Sequence, residues 1–158
     1  MRYSSHTDIY TYKDAPNVLI NNFGIKNVKE LEQIEQLQVS LQFDNFKKYP
    51  TGNFNLKHFQ ALHKYLFGDI YPWAGELRQV TISKGENIFC APEFIETSYN
   101  NIHKEILKSN CLKNIDNKEL YKYLAYYHGE INIIHPFREG NGRTTRAFLD
   151  LMVYQSKG

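Results

Sequence analysis

Apolar residues recur along this chain mostly at spacings of three and four, the period of an amphipathic helix rather than of a strand. Leu31, Ile34, Leu37 and Leu41 predict one helix, starting near Asn27 or Val28. Leu56, Phe59, Leu62, Leu66 and Phe67 predict a second, with Asn55 as its N-cap. Ile95, Tyr99, Ile102 and Ile106 predict a third, with Pro92 near its first turn. Leu120, Tyr123, Leu124, Tyr127, Ile131 and Ile134 form the longest stripe, which delivers the chain to His135. Pro136 disfavours helical backbone in the residue before it, so His135 belongs at a helix end or just past it. A final amphipathic run, residues 147–155, follows soon after.

The segment from Leu77 to Cys90 breaks this periodicity. Leu77 to Ser83 and Ile88 to Cys90 predict two short strands around Lys84-Gly85-Glu86-Asn87, with Gly85 suited to a positive φ. A lone two-stranded hairpin is marginal in water, so it must pack on a helix or gain another strand. No internal repeat, low-complexity tract or linker interrupts the pattern, and residues 1–158 are expected to form a single domain.

Composition narrows the function classes. Lys and Arg outnumber Asp and Glu only 19 to 17, which gives no general reason to expect a nucleic-acid partner. No apolar run approaches the ~20 residues that span a bilayer, so no membrane partner is expected. Two well-separated cysteines, Cys90 and Cys111, suit a reducing compartment, and the N-terminus lacks a signal-peptide core. A cytoplasmic location is expected, with export by a specialised machine left open. Twelve Tyr and ten Phe predict a core of large rings with polar tips.

The chemistry concentrates in residues 135–146, His-Pro-Phe-Arg-Glu-Gly-Asn-Gly-Arg-Thr-Thr-Arg. Gly140-Asn141-Gly142 opens a helix, where glycine permits close backbone approach and the first N–H groups lack intrahelical partners. Those donors and the helix dipole favour an anion. Arg143 and Arg146, three apart, share one helical face and suit phosphate recognition. Glu139 at the lip suits Mg²⁺, which takes one or two carboxylates beside phosphate oxygens; zinc would need ligands that are not nearby. His135 is mostly neutral near pH 7 and can take a proton. The Gly-Lys-Ser/Thr ending of a Walker A loop is missing, and so is the third Gly of a dinucleotide fingerprint. Two things must hold for this reading: an imidazole open to an incoming alcohol, and main-chain amides not already taken by the chain.

Residues 135–146 carry the His-Pro-Phe-x-Glu-Gly-Asn-Gly-Arg-x-x-Arg signature, and on these residues the chain resembles the Fic-domain family. Residues 67–78, with Tyr71-Pro72-Trp73-Ala74-Gly75-Glu76, are similar to the segment before that family's hairpin, and Thr81 to Gly85 followed by Phe89 to the hairpin itself, the flap. The resemblance covers roughly residues 30–156. It implies an all-α fold, a helical bundle with a small β-hairpin flap beside the active-site loop. It also implies transfer of AMP from ATP to a hydroxyl side chain of a target protein, releasing pyrophosphate. His135 would then be the base, Phe137 would anchor the loop and Glu139 would hold Mg²⁺. Arg138, Gly140, Asn141, Gly142, Arg143 and Arg146 would contact the nucleotide. Ser83, Lys84 and Gly85 of the flap would hold an extended target segment by main-chain pairing.

Gly142 stands where a kinase branch of the family has Lys, which favours nucleotidyl transfer. Transfer of UMP, phosphocholine or phosphate, removal of AMP, and a nucleotide-binding module without turnover remain open. Many members silence themselves with a helix carrying Ser/Thr-x-x-x-Glu-Gly/Asn, whose Glu pairs with the motif's last Arg. Here Glu86-Asn87 follows Ile82, Glu139-Gly140 follows His135, and the nearest imitation, Ser40 to Asp44-Asn45, has Asp in place of Glu. The resemblance therefore implies a toxin-like chain whose Glu-bearing helix comes from a separate small inhibitor (antitoxin) protein or lies beyond Gly158. The early stop after the motif helix points to a piece of something longer.

Overall fold

The computed structural model describes residues 8–157. Its helices are α1 (Val28–Phe43), α2 (Leu56–Phe67), α3 (Ile95–Lys108), α4 (Asn117–Ile134) and α5 (Asn141–Ser156). Two small antiparallel hairpins accompany them: β1 (Thr11–Tyr12) with β2 (Ala15–Leu19), and β3 (Ser83–Lys84) with β4 (Asn87–Ile88). The fold is mostly helical with a small hairpin flap, as the periodicity and the resemblance predict.

Local chemistry sets the helix starts. The Asn27 side chain accepts the Glu30 N–H at 3.0 Å, and that of Asn55 accepts the His58 N–H at 2.9 Å, each satisfying a donor that the first turn cannot. Pro92 opens a 3-10 turn, Pro92–Phe94, that leads into α3. The stripes predicted for α2 and α3 are buried throughout; on α4, Leu120, Tyr127, Ile131 and Ile134 are buried, with Tyr123 and Leu124 partly so.

Helix α2 packs among α1, α3 and α5, and α4 packs on α3 and α5. Large rings fill the centre. Phe59 meets Phe148 edge-on at 5.1 Å and stacks on Phe137 at 5.5 Å, while the Tyr99 hydroxyl donates to the Phe54 carbonyl at 3.1 Å. That hydroxyl is the polar tip expected of such a core.

Two elements differ from the sequence reading. On α1 the buried residues are Leu31 and Val39, whereas Leu37 and Leu41 are 63% and 66% exposed. The inward face runs through Glu35 and Gln42, whose carboxylate and amide bond to the Tyr71 hydroxyl and the Tyr65 carbonyl. Polar residues that find partners inside hide the true stripe from a hydrophobicity pattern. The β1–β2 hairpin was not anticipated; Tyr10 beside it meets Trp73 edge-on at 5.6 Å and takes the Gln79 N–H on its hydroxyl at 3.0 Å.

The flap strands are shorter than predicted, because one guanidinium, that of Arg78, takes over from ladder pairing at their base. Its Nη1 donates to the Val80 carbonyl at 2.8 Å and an Nη2 hydrogen goes to the Cys90 carbonyl. The Cys90 N–H donates to the Ile133 carbonyl at 3.2 Å, which seats the hairpin on the end of α4. This is the helix support that a lone hairpin requires.

Replacing Asn55 with Ala should lower the unfolding free energy by about 1 kcal/mol, through loss of the cap on His58. Leu37→Gln, despite removing a leucine, should change it by no more than about 0.5 kcal/mol. Urea denaturation of both variants checks the caps and the α1 register together.

Candidate active site

Helix α4 ends at His135, which adopts left-handed backbone (φ 50°, ψ 67°) because Pro136 closes the helical alternative and the chain must turn sharply. Such backbone costs a non-glycine residue about 1–2 kcal/mol, so something must hold it. The Arg78 Nε–H donates to the His135 carbonyl at 2.7 Å and an Nη2 hydrogen to that of Ile134 at 3.0 Å, while the Arg78 backbone N–H meets the Pro136 carbonyl at 3.0 Å. These acceptors belong to the last turn of α4 and the residues after it, where helical partners run out.

The imidazole is oriented from below. Its Nδ1 lies 2.7 Å from the Asn132 carbonyl, which can only accept, so the neutral ring carries its proton on Nδ1 and its basic lone pair on Nε2. Phe89 of the flap stacks on the ring at 3.8 Å and 15°. The ring is closed over rather than open: His135 is 5% exposed. This departs from the open imidazole that the sequence reading required. Burial, opposed in part by the bond to Asn132 and helped by the charges of Arg78 and Lys84, pulls its pKa down to about 4. The ring is thus neutral near pH 7, by a wider margin than its ordinary value gives.

Between α4 and α5 the loop is pinned from two sides. Phe137 is fully buried against His63 of α2, ring centroids 3.9 Å apart. The His63 Nδ1 accepts the Gly75 N–H at 2.8 Å, so its Nε2 carries the proton and donates to the Glu139 carbonyl at 2.8 Å. Burial drives the His63 pKa to about 3, keeping it neutral in that role. From the other side, the Asn141 side chain accepts the Phe137 N–H at 2.8 Å and donates to the Phe137 carbonyl at 2.7 Å. The Asn141 side chain is therefore occupied by the loop, and only its backbone N–H faces the task foreseen for it.

Gly140 caps α5 with φ 83°, and a Cβ there would sit 2.5 Å from the Phe67 ring. Both backbone and packing demand glycine. Gly142 is different: a Cβ would meet nothing within 4 Å, so the fold itself does not require glycine there. The first intrahelical bond of α5 runs from the Thr144 N–H to the Gly140 carbonyl at 3.1 Å, so the N–H groups of Asn141, Gly142 and Arg143 have no acceptor within the helix.

The charged residues arrange themselves around this end. Arg143 pairs with Glu35 of α1, its guanidinium 4.8 Å from the centre of the Phe67 ring, and the Glu35 carboxylate also takes the Tyr71 hydroxyl. Arg146 is exposed; with Arg143 it faces Ser40 and Phe43 of α1, and Asp44 just past its end, across a cleft of about 230 Å³. The Glu139 carboxylate accepts its neighbour Gly140's N–H at 3.2 Å, and its pKa is raised, first by burial and then by the Glu35 charge. Arg138, predicted at the nucleotide, has its guanidinium on Asp8, with Nε 3.3 Å from the carboxylate. Ser83 and Lys84 form β3, Gly85 turns at φ 64°, and the Asn87–Ile88 strand beside them is exposed, Ile88 by 75%.

The structure thus gathers His135, Glu139, Gly140, Asn141, Gly142, Arg143 and Arg146 at one end of α5 with the flap alongside, and turns Arg138 to Asp8. Sequence reasoning missed Asp8, Glu35, His63, Arg78 and Asn132. Only His63 left a usable trace, since it lies four residues after Phe59 on the same buried face of α2.

Among the described residues no three His, Cys, Asp or Glu side chains gather into a metal cluster, and no helix is long and apolar enough to cross a membrane.

Comparison with known proteins agrees with this fold. The chain is 39% identical over 155 residues to the probable protein adenylyltransferase y4lH of Sinorhizobium fredii, an alignment that spans 96% of this chain and 78% of that protein. It is 37% identical to the protein adenylyltransferase VbhT of Bartonella schoenbuchensis, over 94% of this chain and 31% of that longer protein. The crystal structure of the BepC effector protein of Bartonella tribocorum with bound AMPPNP superposes with a TM-score of 0.85 at 26% identity, covering 93% of this chain and 77% of that one. The Fic/DOC family profile matches residues 53–153, which include the flap and the whole motif. The chain belongs to the Fic/DOC family.

Proposed function

We propose that this chain transfers AMP from ATP to a hydroxyl side chain of a protein, with release of pyrophosphate. One observation carries the reading: an imidazole whose proton is fixed on Nδ1 lies at the end of α4, one tight loop before a helix start whose first N–H groups lack acceptors in the helix. In the proposed reaction the target oxygen attacks the α-phosphorus, its proton passes to the Nε2 of His135, and the bond to the bridging oxygen breaks as pyrophosphate departs. Such transfers depend chiefly on positioning and charge neutralisation. The names of the relatives support AMP as the group moved, and the AMPPNP-bound BepC neighbour supports ATP as the donor.

The amides of residues 141–143 and the helix dipole would take the phosphates, and Arg143 and Arg146 the outer ones. Arg143 must then exchange Glu35 for phosphate, a swap between two anions rather than a desolvation. Glu139 fits Mg²⁺: a carboxyl whose pKa burial and a neighbouring carboxylate both raise gains from a cation beside it. One protein carboxylate with phosphate oxygens and water would complete the shell, and the ion would offset the phosphate charge. The flap at residues 83–85 would pair with an extended target segment, and access to His135 requires side chains over its ring to give way. The cleft between α1 and the two arginines would be where a Glu-bearing helix of a separate inhibitor meets them. The place of action would be a cytoplasm, the cell's own or that of a host.

Four outcomes test this. With ATP labelled at the α-phosphate, label should enter protein, whereas γ-label should not. His135→Ala should slow transfer by about 10²–10⁴-fold while largely sparing ATP binding; transfer at the parental rate would remove His135 as the base. Because its pKa in the free chain is about 4, below the ordinary histidine value, kcat/KM at saturating Mg²⁺, which keeps the Glu139 carboxyl ionised, should hold steady as pH falls from 8 to about 5, then drop as the ring protonates near 4. A drop centred near 6.5 would contradict the buried, neutral imidazole. Gly142→Ala should fold with unchanged or slightly higher stability but bind nucleotide more weakly, whereas Gly140→Ala should lose at least about 1–2 kcal/mol of stability through its backbone and Phe67. Thermal unfolding with and without ATP and Mg²⁺ separates the two.

A further inference from the structure

Arg78 is 2% exposed, and no carboxylate among the described residues forms an ion pair with it. A buried cation is costly unless fully hydrogen-bonded, so a fold that keeps one is using its geometry. Here the guanidinium spends four of its donors on four backbone carbonyls: His135, Ile134, Val80 and Cys90. Two of these acceptors lie at the end of α4, and the other two lie on the opposite legs of the flap, before β3 and after β4. Lysine could supply the charge but not this planar fork.

We infer that Arg78 is a positioning residue that locks the base of the flap to the backbone of His135, so that flap and imidazole move as one body. The inference rests on the reading of His135 as base and the flap as the target's docking edge; its geometry does not. Two further bonds join the flap to this region, Cys90 N–H to the Ile133 carbonyl at 3.2 Å and Arg78 N–H to the Pro136 carbonyl at 3.0 Å, and the Phe89 N–H ties the two legs of the flap through the Ile82 carbonyl at 3.1 Å. A target strand paired to the flap is thereby set at a fixed height over the ring, which turns loose docking into a defined approach of hydroxyl to Nε2. Placement of this kind is worth rate in itself, because reacting groups held in register need no further ordering. The exposed tip, residues 84–87, lies outside the clamp.

The test is amide hydrogen exchange on the whole chain without ligand, which needs no knowledge of the target. In Arg78→Lys, the N–H groups of Phe89 and Cys90 should exchange at least about tenfold faster, the loss expected from one charge-assisted bond, while Leu62 and Leu66 in α2 keep their rates. Unchanged flap rates, or a uniform rise that includes α2, would overturn the inference. If that variant does not fold, the parental chain decides: the Cys90 and His135 N–H groups should show protection within about tenfold of each other, as one opening unit does. A Cys90 N–H that exchanges more than about tenfold faster than that of His135 would mean a flap that opens alone. Loss of transfer in His135→Ala reports separately on the catalytic reading, so the two can fail independently.

Discussion

The site depends on a helix being made to end where it otherwise would not. Helix α4 is stopped by Pro136, and the left-handed turn at His135 throws the last carbonyls of the helix outward with no N–H to receive. Arg78, fifty-seven positions earlier in the chain than His135, closes that deficit. The orphan carbonyls, the buried guanidinium and the flap are one solution to a single accounting problem: every buried polar group needs a partner. The imidazole, the loop and the flap take their positions from it.

Beyond His135, the loop is held by side chains outside its tight turn. Histidine 63 ties it to α2 through the Glu139 carbonyl and the Phe137 ring, and Asn141 reaches back from α5 to both backbone groups of Phe137. A segment so constrained leaves little to be organised when a ligand arrives, which is the condition under which main-chain amides act as an anion site rather than as solvated turn. The electrostatics follow the same division. Burial makes both imidazoles neutral, the one that holds the loop and the one at the end of α4, while the Glu35 and Glu139 carboxylates share the neighbourhood of Arg143.

Much of this was legible in the sequence, for reasons that can be named. Stripes on α2, α3 and α4 survive as buried faces because their inward residues are apolar, and the cap at Asn55 acts over three residues. The motif was legible because twelve adjacent residues carry it. What was hidden acts over distance or through polarity. Glu35 meets Arg143 across 108 positions and Asp8 meets Arg138 across 130, and no local pattern announces such pairs. The register of α1 was misread because Glu35 and Gln42 turn inward where a hydrophobicity rule places leucines. The β1–β2 hairpin escaped because its first strand has only two residues and Pro16 interrupts the second.

Phe67 serves two neighbours with one ring. Its edge fills the space that a side chain at position 140 would need, and the guanidinium of Arg143 rests 4.8 Å from its centre. A smaller residue at 67 would relax the demand for glycine while taking away the platform under the arginine. A larger one would push against the turn that starts α5. Divergence at positions 67, 140 and 143 is therefore bound together, and a sequence that drifts at one of them has to answer at the others.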